Sequence, residues 1–530
     1  MKRWRGWGNS ETVYPLADGA RKYLVDVVGT PEAITDFPEE DILAQMPESR
    51  LQARLGIHVD AHDRLVHTRG QSLPDWIAAH SGKLGAFPDA VAYPETETDL
   101  VEIMAYAQEN KAMVIPYGGG TSVIGHINPP AGDQPVLTVD MGRMDKMLSL
   151  DVTSRMATFE AGVAGPKLEE QLKAKGFTLG HFPQSFEYST LGGWIASRSV
   201  GQQCYRYGRI DEMFLGGRML TPKGWMDLPA IPASAAGPDL RQVVLGSEGR
   251  MGIITRATLR VHPTPKVEKF YAVFFPHWEA GASAVREIVQ AGVGVSMLRL
   301  ADRHETQTTL KLAGKEGLVS LAQNGLKLIG IGDERCLLIY GLTGLDDECQ
   351  QAYWQVQAIS KKYNGFAVNP VIGSMWQKTR FTTPYLRNAL WEAGYALDTL
   401  ETCLPWSTVV PAVVAIKNVI SAALEQDGEK ALVFAHLSHL YDVGASTYIT
   451  YLYRRSPDPD QTLERWQKAK SAASRKIVEL GGTISHQHGI GLDHRPYLAA
   501  EKSEPGIELI RAMCKQLDPD GMMNPGKLVE

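Results

Sequence analysis

"VIPYGGGTSVIGH", Val114 to His126, sets three glycines in a row between an apolar run and a pair of hydroxyls. Each glycine costs about 0.5–1 kcal/mol more to order than alanine. A chain accepts that cost where its backbone must turn tightly or lie against something large. Two readings follow: a ligand that touches the main chain, or a tight surface turn. The surroundings decide between them.

Just upstream, "AVAYP" (Ala90 to Pro94) is a short apolar run closed by proline. "TETDLVEIMAYAQEN" places Leu100, Ile103, Met104 and Ala107 at helical spacing, with Thr96 as the cap. "AMVIPY" is the next strand, so the glycines leave a strand–helix–strand unit. Beyond them strands dominate: "VLTVDM", "MATFEAGV", "FLGGRMLTP" and "GIITRATLRVHP", interrupted by the helix "GPKLEEQLKAKG". This is α+β rather than an even βαβα alternation. After Pro265 long amphipathic helices alternate with strands such as "KFYAVFFP" and "CLLIYGL". The predicted division is an N-terminal helical segment over 1–85, a strand-rich domain over 86–265, a second domain over 266–480, and a Gly-rich loop, helix and tail over 481–530.

At 530 residues the chain has room for several full cores. Its 44% hydrophobic and 22% charged residues are ordinary for a globular protein. The net charge of -6, without a run of Lys and Arg, argues against a nucleic-acid partner. The basic start "MKRWRGW" has no apolar stretch behind it, so it reads as a structural tail rather than a signal peptide, with contact to anionic lipid as the alternative. The apolar run "VVPAVVAI" (Val409 to Ile416) is too short for a membrane span and contains Pro411. Five scattered cysteines without a CxxC pair suggest neither a zinc site nor a disulfide framework. A reducing, cytoplasmic setting is expected, with peripheral membrane contact left open.

Familiar nucleotide motifs fail. "GIGDER" (Gly330 to Arg335) lacks the third glycine of GxGxxG, and "AGKEG" (Ala313 to Gly317) has Glu316 where a P-loop needs Ser or Thr. What remains is three separated clusters of glycine and hydroxyl: "PYGGGTS" (Pro116 to Ser122), "PQSFEYSTLGGWIASRS" (Pro183 to Ser199) and "GSEGRMGIITRATL" (Gly246 to Leu259). A pyrophosphate needs converging backbone N–H donors with no Cβ in the way, then hydroxyls for its remaining oxygens. Three such clusters on one strand-rich domain fit a long cofactor lying across it.

These clusters, with "RWRGWG", "GHFPQSFEYSTLGGW", "SMLRLAD", "ETCLPW", "YDVGASTYITYLY" and "SHQHGIG", resemble the vanillyl-alcohol oxidase type, or PCMH-type, FAD-binding proteins. Within that group the chain is similar to the alkyldihydroxyacetonephosphate synthase (alkylglycerone-phosphate synthase) family, over nearly its whole length. The resemblance implies a two-subdomain FAD-binding domain, an α/β cap domain that takes substrate, and a C-terminal His loop returning to the flavin. It also implies FAD contacts from Pro116, Tyr117, Gly118, Gly119, Gly120, Thr121 and Ser122. Further contacts are implied from Gln184, Ser185, Glu187, Ser189, Thr190, Gly193, Ser197 and Ser199, and from Glu248, Gly249, Gly252, Ile253 and Ile254. Many relatives attach the flavin to a histidine at a place that falls on Thr121 here, so noncovalent FAD is expected. His126, a few residues on, reads as a structural loop histidine.

The same resemblance implies an exchange of the acyl group of acyl-dihydroxyacetone phosphate for a long-chain alcohol, with a covalent adduct at the flavin and no net oxidation: ether-lipid synthesis. The substrate would carry an anionic head group and a long alkyl chain, and a homodimer is expected. "LDPDGMMNPGKL" (Leu517 to Leu528) is similar instead to FAD-dependent dehydrogenases and oxidases of 2-hydroxy acids, the alternative.

Residues that would do chemistry are fewer. His486 and His488, at i and i+2, would share one face of an extended loop, suiting proton transfer or, with no acidic ligand nearby, less well a metal. The family has three histidines in this segment; here the middle one is Gln487, which can hydrogen-bond but not shuttle a proton. Tyr448 matches the family's catalytic tyrosine, although Tyr448, Thr450 and Leu452 also alternate as an ordinary strand face would. Arg387 matches a substrate-contacting arginine and can grip a phosphate or carboxylate by two parallel bonds; the alternative is a helix-surface arginine. Arg299, between apolar residues, needs a partner for its charge and matches a supporting arginine. His181 matches a histidine near the flavin. No metal is expected.

Overall fold

The computed structural model describes residues 2–312, 331–368 and 371–530. "AGKEG" and Gly330 of "GIGDER" lie outside the described residues. The described residues form three principal sheets and a pair of short strands.

The first sheet has the order Ile57–His58, Ala90–Ala92, Val136–Asp140, Met113–Tyr117, with the last three strands parallel. The Glu97–Glu109 helix crosses over between two of them. Thr96 and Asp99 form a reciprocal capping box at its start, and Leu100, Ile103, Met104 and Ala107 are buried, as the spacing predicted. The glycine triplet leaves the C-terminal end of the Met113–Tyr117 strand, where parallel sheets commonly bind ligands. Met523 bridges Val114 in parallel, so the chain's tail adds an edge to this sheet.

The second sheet is antiparallel: Met147–Asp151, Met156–Glu160, Ile253–Arg260, Phe214–Thr221, Gly224–Leu228. Helices Gly165–Lys173 and Leu191–Ser197 bury Leu168, Leu172, Leu191 and Trp194 in its core.

The third sheet is a seven-stranded antiparallel one: Phe366–Ala367, Val267–Phe275, Cys336–Gly344, Met297–Ala301, Leu432–Tyr441, Gly444–Arg454, Tyr395–Pro405. Its period of two separates chemistry from packing. Val433, Ala435 and Leu437, with Ile449, Tyr451 and Tyr453, enter the main core with residues of helices Trp278–Gln290, Trp406–Glu425 and Pro459–Glu479. Their alternates, Phe434, His436 and Ser438 with Tyr448, Thr450 and Leu452, line a cavity on the opposite face.

"VVPAVVAI" proves to be part of the 20-residue Trp406–Glu425 helix. That helix is long and apolar enough to cross a membrane by length and composition, correcting the shorter run read from the sequence. Val409, Ala412, Val413, Ile416 and Ile420 pack one side of it into the core. The basic start is a docked hairpin: Lys2 bridges Asn9, Trp7 is buried, and Lys2 Nζ donates to the Tyr117 hydroxyl at 2.6 Å.

Candidate functional site

A cavity of about 620 Å³ runs between the first two sheets and the open face of the third. One end is walled by Pro116–Val123, Gln184, Ser185, Ser189, Thr190, Gly193, Ser197, Ser199, Glu248, Gly249 and Gly252–Ile254. All but one of the residues assigned to FAD from the sequence therefore meet on one surface. The exception is Glu187, which bonds the Tyr385 side chain and does not reach the cavity.

The glycines have a reason the sequence did not disclose. A Cβ on Gly118 would be driven into Thr190 Oγ1, one on Gly119 into the Tyr188 carbonyl oxygen, and one on Gly120 into the Tyr117 hydroxyl. The missing side chains let two loops close on each other, not only on a ligand. Gly120 also has φ +72°, a conformation glycine adopts without strain. Among the described residues, the backbone N–H groups of Gly119 to Ser122 have no protein acceptor, and each of these residues lines the cavity. Unpaired amides on the cavity wall, flanked by Thr121, Ser122 and Thr190 hydroxyls, suit a pyrophosphate, so the residues fit FAD.

Three residues tie the cradle to the rest. Glu248 accepts the N–H groups of Ile490 and Gly491, while its own carbonyl accepts from Asn524 Nδ2 at 2.7 Å. His126 sits between Ser122 Oγ at 3.0 Å and Glu248 Oε2 at 3.1 Å, joining the same loops. Gln71 donates its N–H to the Ser122 carbonyl at 2.6 Å, while its own carbonyl accepts from Arg387 Nη1.

At the other end the side chains come from the third sheet and the helix Thr383–Glu392. Arg387 is partly buried there, its guanidinium 4.3 Å from the Trp76 ring centre. Nε and Nη2 are buried without a protein acceptor. Burial brings its pKa down to about 10, against the opposing pull of Asp398 and Asp75. The helix-surface alternative is therefore excluded by position. Arg299 finds the partner its setting demanded: Nη2 pairs with Glu305, whose Oε2 lies 3.0 Å from His436 Nδ1. Burial pushes the Glu305 carboxyl up, but Arg299 and His436 outweigh it and hold it at about 2. His436 faces Tyr448 across the strands and stacks on it at 5.2 Å and 18°. The Tyr448 hydroxyl donates to Thr399 Oγ1 at 3.0 Å, and burial pushes the phenol above its usual range. The His488 ring stands edge-on to Tyr448 at 5.7 Å.

The expected shared face of His486 and His488 does not form. Glu401 accepts the N–H groups of Gln487 and His488 at 2.6 and 2.7 Å, closing a turn in place of an extended segment. Gln487 and His488 consequently line the cavity, and His486 does not. His486 lies behind it, where Arg209 Nη1 donates to the Tyr441 oxygen at 3.2 Å and the Tyr441 hydroxyl donates to His486 Nε2 at 2.6 Å. His181 also stops short: its Nε2 lies 3.2 Å from Ser199 Oγ, and it is Ser199 that reaches the cavity. Burial takes the His181 pKa down to about 3.

Residues that sequence reasoning missed include His436, His439 and Arg380, all lining the cavity, and Glu401, which shapes the His loop. The alternation of Phe434, His436 and Ser438 was the available signal for the first. The cavity also has an apolar patch, formed by Leu24, Leu386, Leu390, Leu397, Phe434 and Leu452, which pack in one hydrophobic cluster. Among the described residues no cluster of three or more His, Cys, Asp or Glu could hold a metal ion.

A backbone cradle for a dinucleotide, opposed by a sheet bearing an arginine, a tyrosine and imidazoles, defines an FAD-dependent enzyme. Residues 88–226 match the FAD binding domain family, and residues 264–528 match the FAD linked oxidases, C-terminal domain family. The chain is 29% identical to alkyldihydroxyacetonephosphate synthase of Trypanosoma brucei brucei, over 99% of this chain and 92% of that one. It is 31% identical to the enzyme of that name from Dictyostelium discoideum, over 88% and 77%. A solved alkyldihydroxyacetonephosphate synthase structure superimposes with a TM-score of 0.86 at 27% identity, covering 99% of both chains. The chain belongs to the alkyldihydroxyacetonephosphate synthase family.

Proposed function

We propose that this enzyme exchanges the acyl group of acyl-dihydroxyacetone phosphate for a long-chain alcohol. The observation that carries the reading is the composition of one cavity: a dinucleotide cradle, Arg387 with two buried donors unpaired, and an apolar patch. Buried guanidinium donors without acceptors are costly, and a substrate phosphate would supply the two that are missing. The six apolar side chains of the patch suit an alkyl chain.

Residues 86–265 cradle the cofactor, 266–480 supply the substrate side, and 481–530 return the His loop. FAD is held without a covalent bond, because Thr121 stands where a histidyl link would form. When bound it supplies an electron-accepting ring beside the substrate. The protein's own groups do the rest. Arg387 fixes the anionic head. His488 and the Tyr448 hydroxyl, both on the cavity wall, accept and return protons. Gln487 orients them or the substrate by hydrogen bonds. His486 and His181, which cannot reach the cavity, position the Tyr441 side and Ser199 instead, and Arg299 holds the Glu305–His436 pair beneath Tyr448.

The test is anaerobic mixing of the purified holoenzyme with palmitoyl-dihydroxyacetone phosphate and hexadecanol, and separately with D-lactate or glycolate. Ether product without lasting loss of flavin absorbance is expected. Lasting bleaching by a hydroxy acid, with no exchange, would move the enzyme to the dehydrogenase class.

A further inference from the structure

His439 enters the cavity because of a backbone irregularity. Along Leu432–Tyr441 the residues facing the main core are Val433, Ala435 and Leu437. The pairing with Gly444–Arg454 then shifts register between Leu437 and Leu440. Such a bulge re-aims a side chain, and here Ser438 and His439 both turn to the cavity while Leu440 resumes the core. Strict alternation would have buried His439 among apolar residues.

Its two nitrogens have different surroundings. Nδ1 lies 3.3 Å from Cys204 Sγ. Among the described residues Nε2 has no protein partner, and it keeps access to the cavity that His439 lines. The ring is stacked parallel to His486 at 5.1 Å and 16°. His486 is in turn pinned by Tyr441 and Arg209, so the imidazole is held from two sides. Burial, with His436 and Arg209 nearby, takes the His439 pKa down to about 3, and burial pushes the Cys204 thiol up to about 12. Both groups are uncharged at neutral pH. An imidazole lone pair accepts better than a thiol sulfur, so the S–H points to Nδ1 and the ring proton resides on Nε2.

We propose that His439 is a further catalytic residue, a neutral imidazole whose Nε2–H donates a hydrogen bond to the ketone oxygen of the dihydroxyacetone unit. This rests on the reading given under Proposed function. In the step it serves, a C–H bond beside the ketone breaks and its proton passes to His488. The electron pair shifts toward the ketone oxygen, where the N–H stabilises the developing negative charge; nothing is oxidised or reduced. A neutral donor aimed at a developing oxyanion acts through preorganisation. Cys204 is a positioning residue that fixes the tautomer.

The experiment compares holoenzyme variants His439→Leu, His439→Gln and Cys204→Ala with the unmodified enzyme. It measures kcat and KM for palmitoyl-dihydroxyacetone phosphate, and uptake of solvent deuterium beside the ketone. His439→Leu should lower kcat and deuterium uptake by about 10²–10³-fold, the range for losing one oxyanion donor, with KM nearly unchanged. His439→Gln, which keeps an N–H, should recover at least part of that loss, and Cys204→Ala should fall between them and the unmodified enzyme. A flavin-loaded His439→Leu enzyme with kcat near normal, or changed only in KM, overturns the proposal. If that variant fails to retain flavin, a Gln variant that retains flavin but turns over no better than the Leu protein overturns it equally. Absence of any exchange by the unmodified enzyme overturns the functional reading itself and the proposal with it.

Discussion

Replacing Arg387 with methionine should weaken substrate binding and leave the substrate-free protein no less stable. The two effects have opposite signs because the guanidinium is buried without a full set of partners. Nη1 donates to the Gln71 carbonyl, while Nε and Nη2 have no acceptor. Burial brings the pKa down to about 10, which corresponds to about 3 kcal/mol against the folded cation. Methionine keeps much of the volume and the contact with Trp76 while removing that charge, and such replacements are commonly neutral or stabilising. Loss of the Gln71 bond returns about 1 kcal/mol. The net expectation is an unchanged Tm or a rise of about 1–2 °C for a chain of this size. Substrate sees the other side. A charge-assisted pair is worth about 1.5–3 kcal/mol, or about 10- to 150-fold in KM. Lysine should restore little, because the two-pronged geometry is lost. The assays are thermal unfolding of the flavin-loaded, substrate-free protein and steady-state exchange kinetics. A near-normal KM in Arg387→Met would refute the phosphate assignment. A Tm several degrees lower would refute the account of an under-partnered charge.

Other expectations follow from the same geometry. Acid precipitation should leave the yellow colour in the supernatant, since Thr121 cannot form a histidyl link; colour in the pellet would contradict this. His488→Ala should lose about 10²–10⁴-fold in kcat as a proton carrier, whereas Gln487→His should keep or raise exchange, both read by product formation. Burial, opposed by Lys470, raises the Asp493 pKa to about 7, and its Oδ2 has no partner. A folded carboxyl with a raised pKa costs stability progressively as pH climbs from the usual carboxylate range through 7. Asp493→Asn should therefore raise Tm more at pH 8 than at about pH 4.5, and an equal gain at both would exclude this group as the source.

The cofactor side was legible in the sequence because a pyrophosphate is met by main chain, and main-chain access leaves contiguous runs of glycine and hydroxyl. Even there the reason was incomplete. The missing Cβ of Gly119 makes room for the Tyr188 carbonyl, a contact between segments far apart in sequence. The substrate side was legible only where a family motif carried it. His436 and Tyr448 meet because strands Leu432–Tyr441 and Gly444–Arg454 are neighbours in a particular register, and His439 joins them through a shift in that register. Period two predicts which residues share a face, not which strands adjoin or where a bulge falls. His486 was misplaced for a related reason. The i, i+2 rule assumes extended backbone, and Glu401, distant in the sequence, turns the loop by binding two successive N–H groups.

The pairing of charge at Arg387 contrasts with that of two arginines of the scaffold. Away from the cavity, Asp89 accepts Arg50 Nε and Nη2 at 2.8 and 2.7 Å, and Glu429 accepts Arg454 Nε and Nη2 at 3.0 and 2.9 Å. Both carboxylates are engaged by two-pronged arginines. On the cavity wall Arg387 keeps two donors unpaired, and His488 Nδ1 lies 3.6 Å from Glu401, beyond hydrogen-bond reach. Burying such groups without partners costs free energy that the surrounding core must offset. That cost is recovered only by a ligand with an acceptor for the guanidinium. Under the proposed function, a substrate lacking the anionic head would leave Nε and Nη2 of Arg387 without acceptors, so discrimination against neutral analogues would come from the same guanidinium.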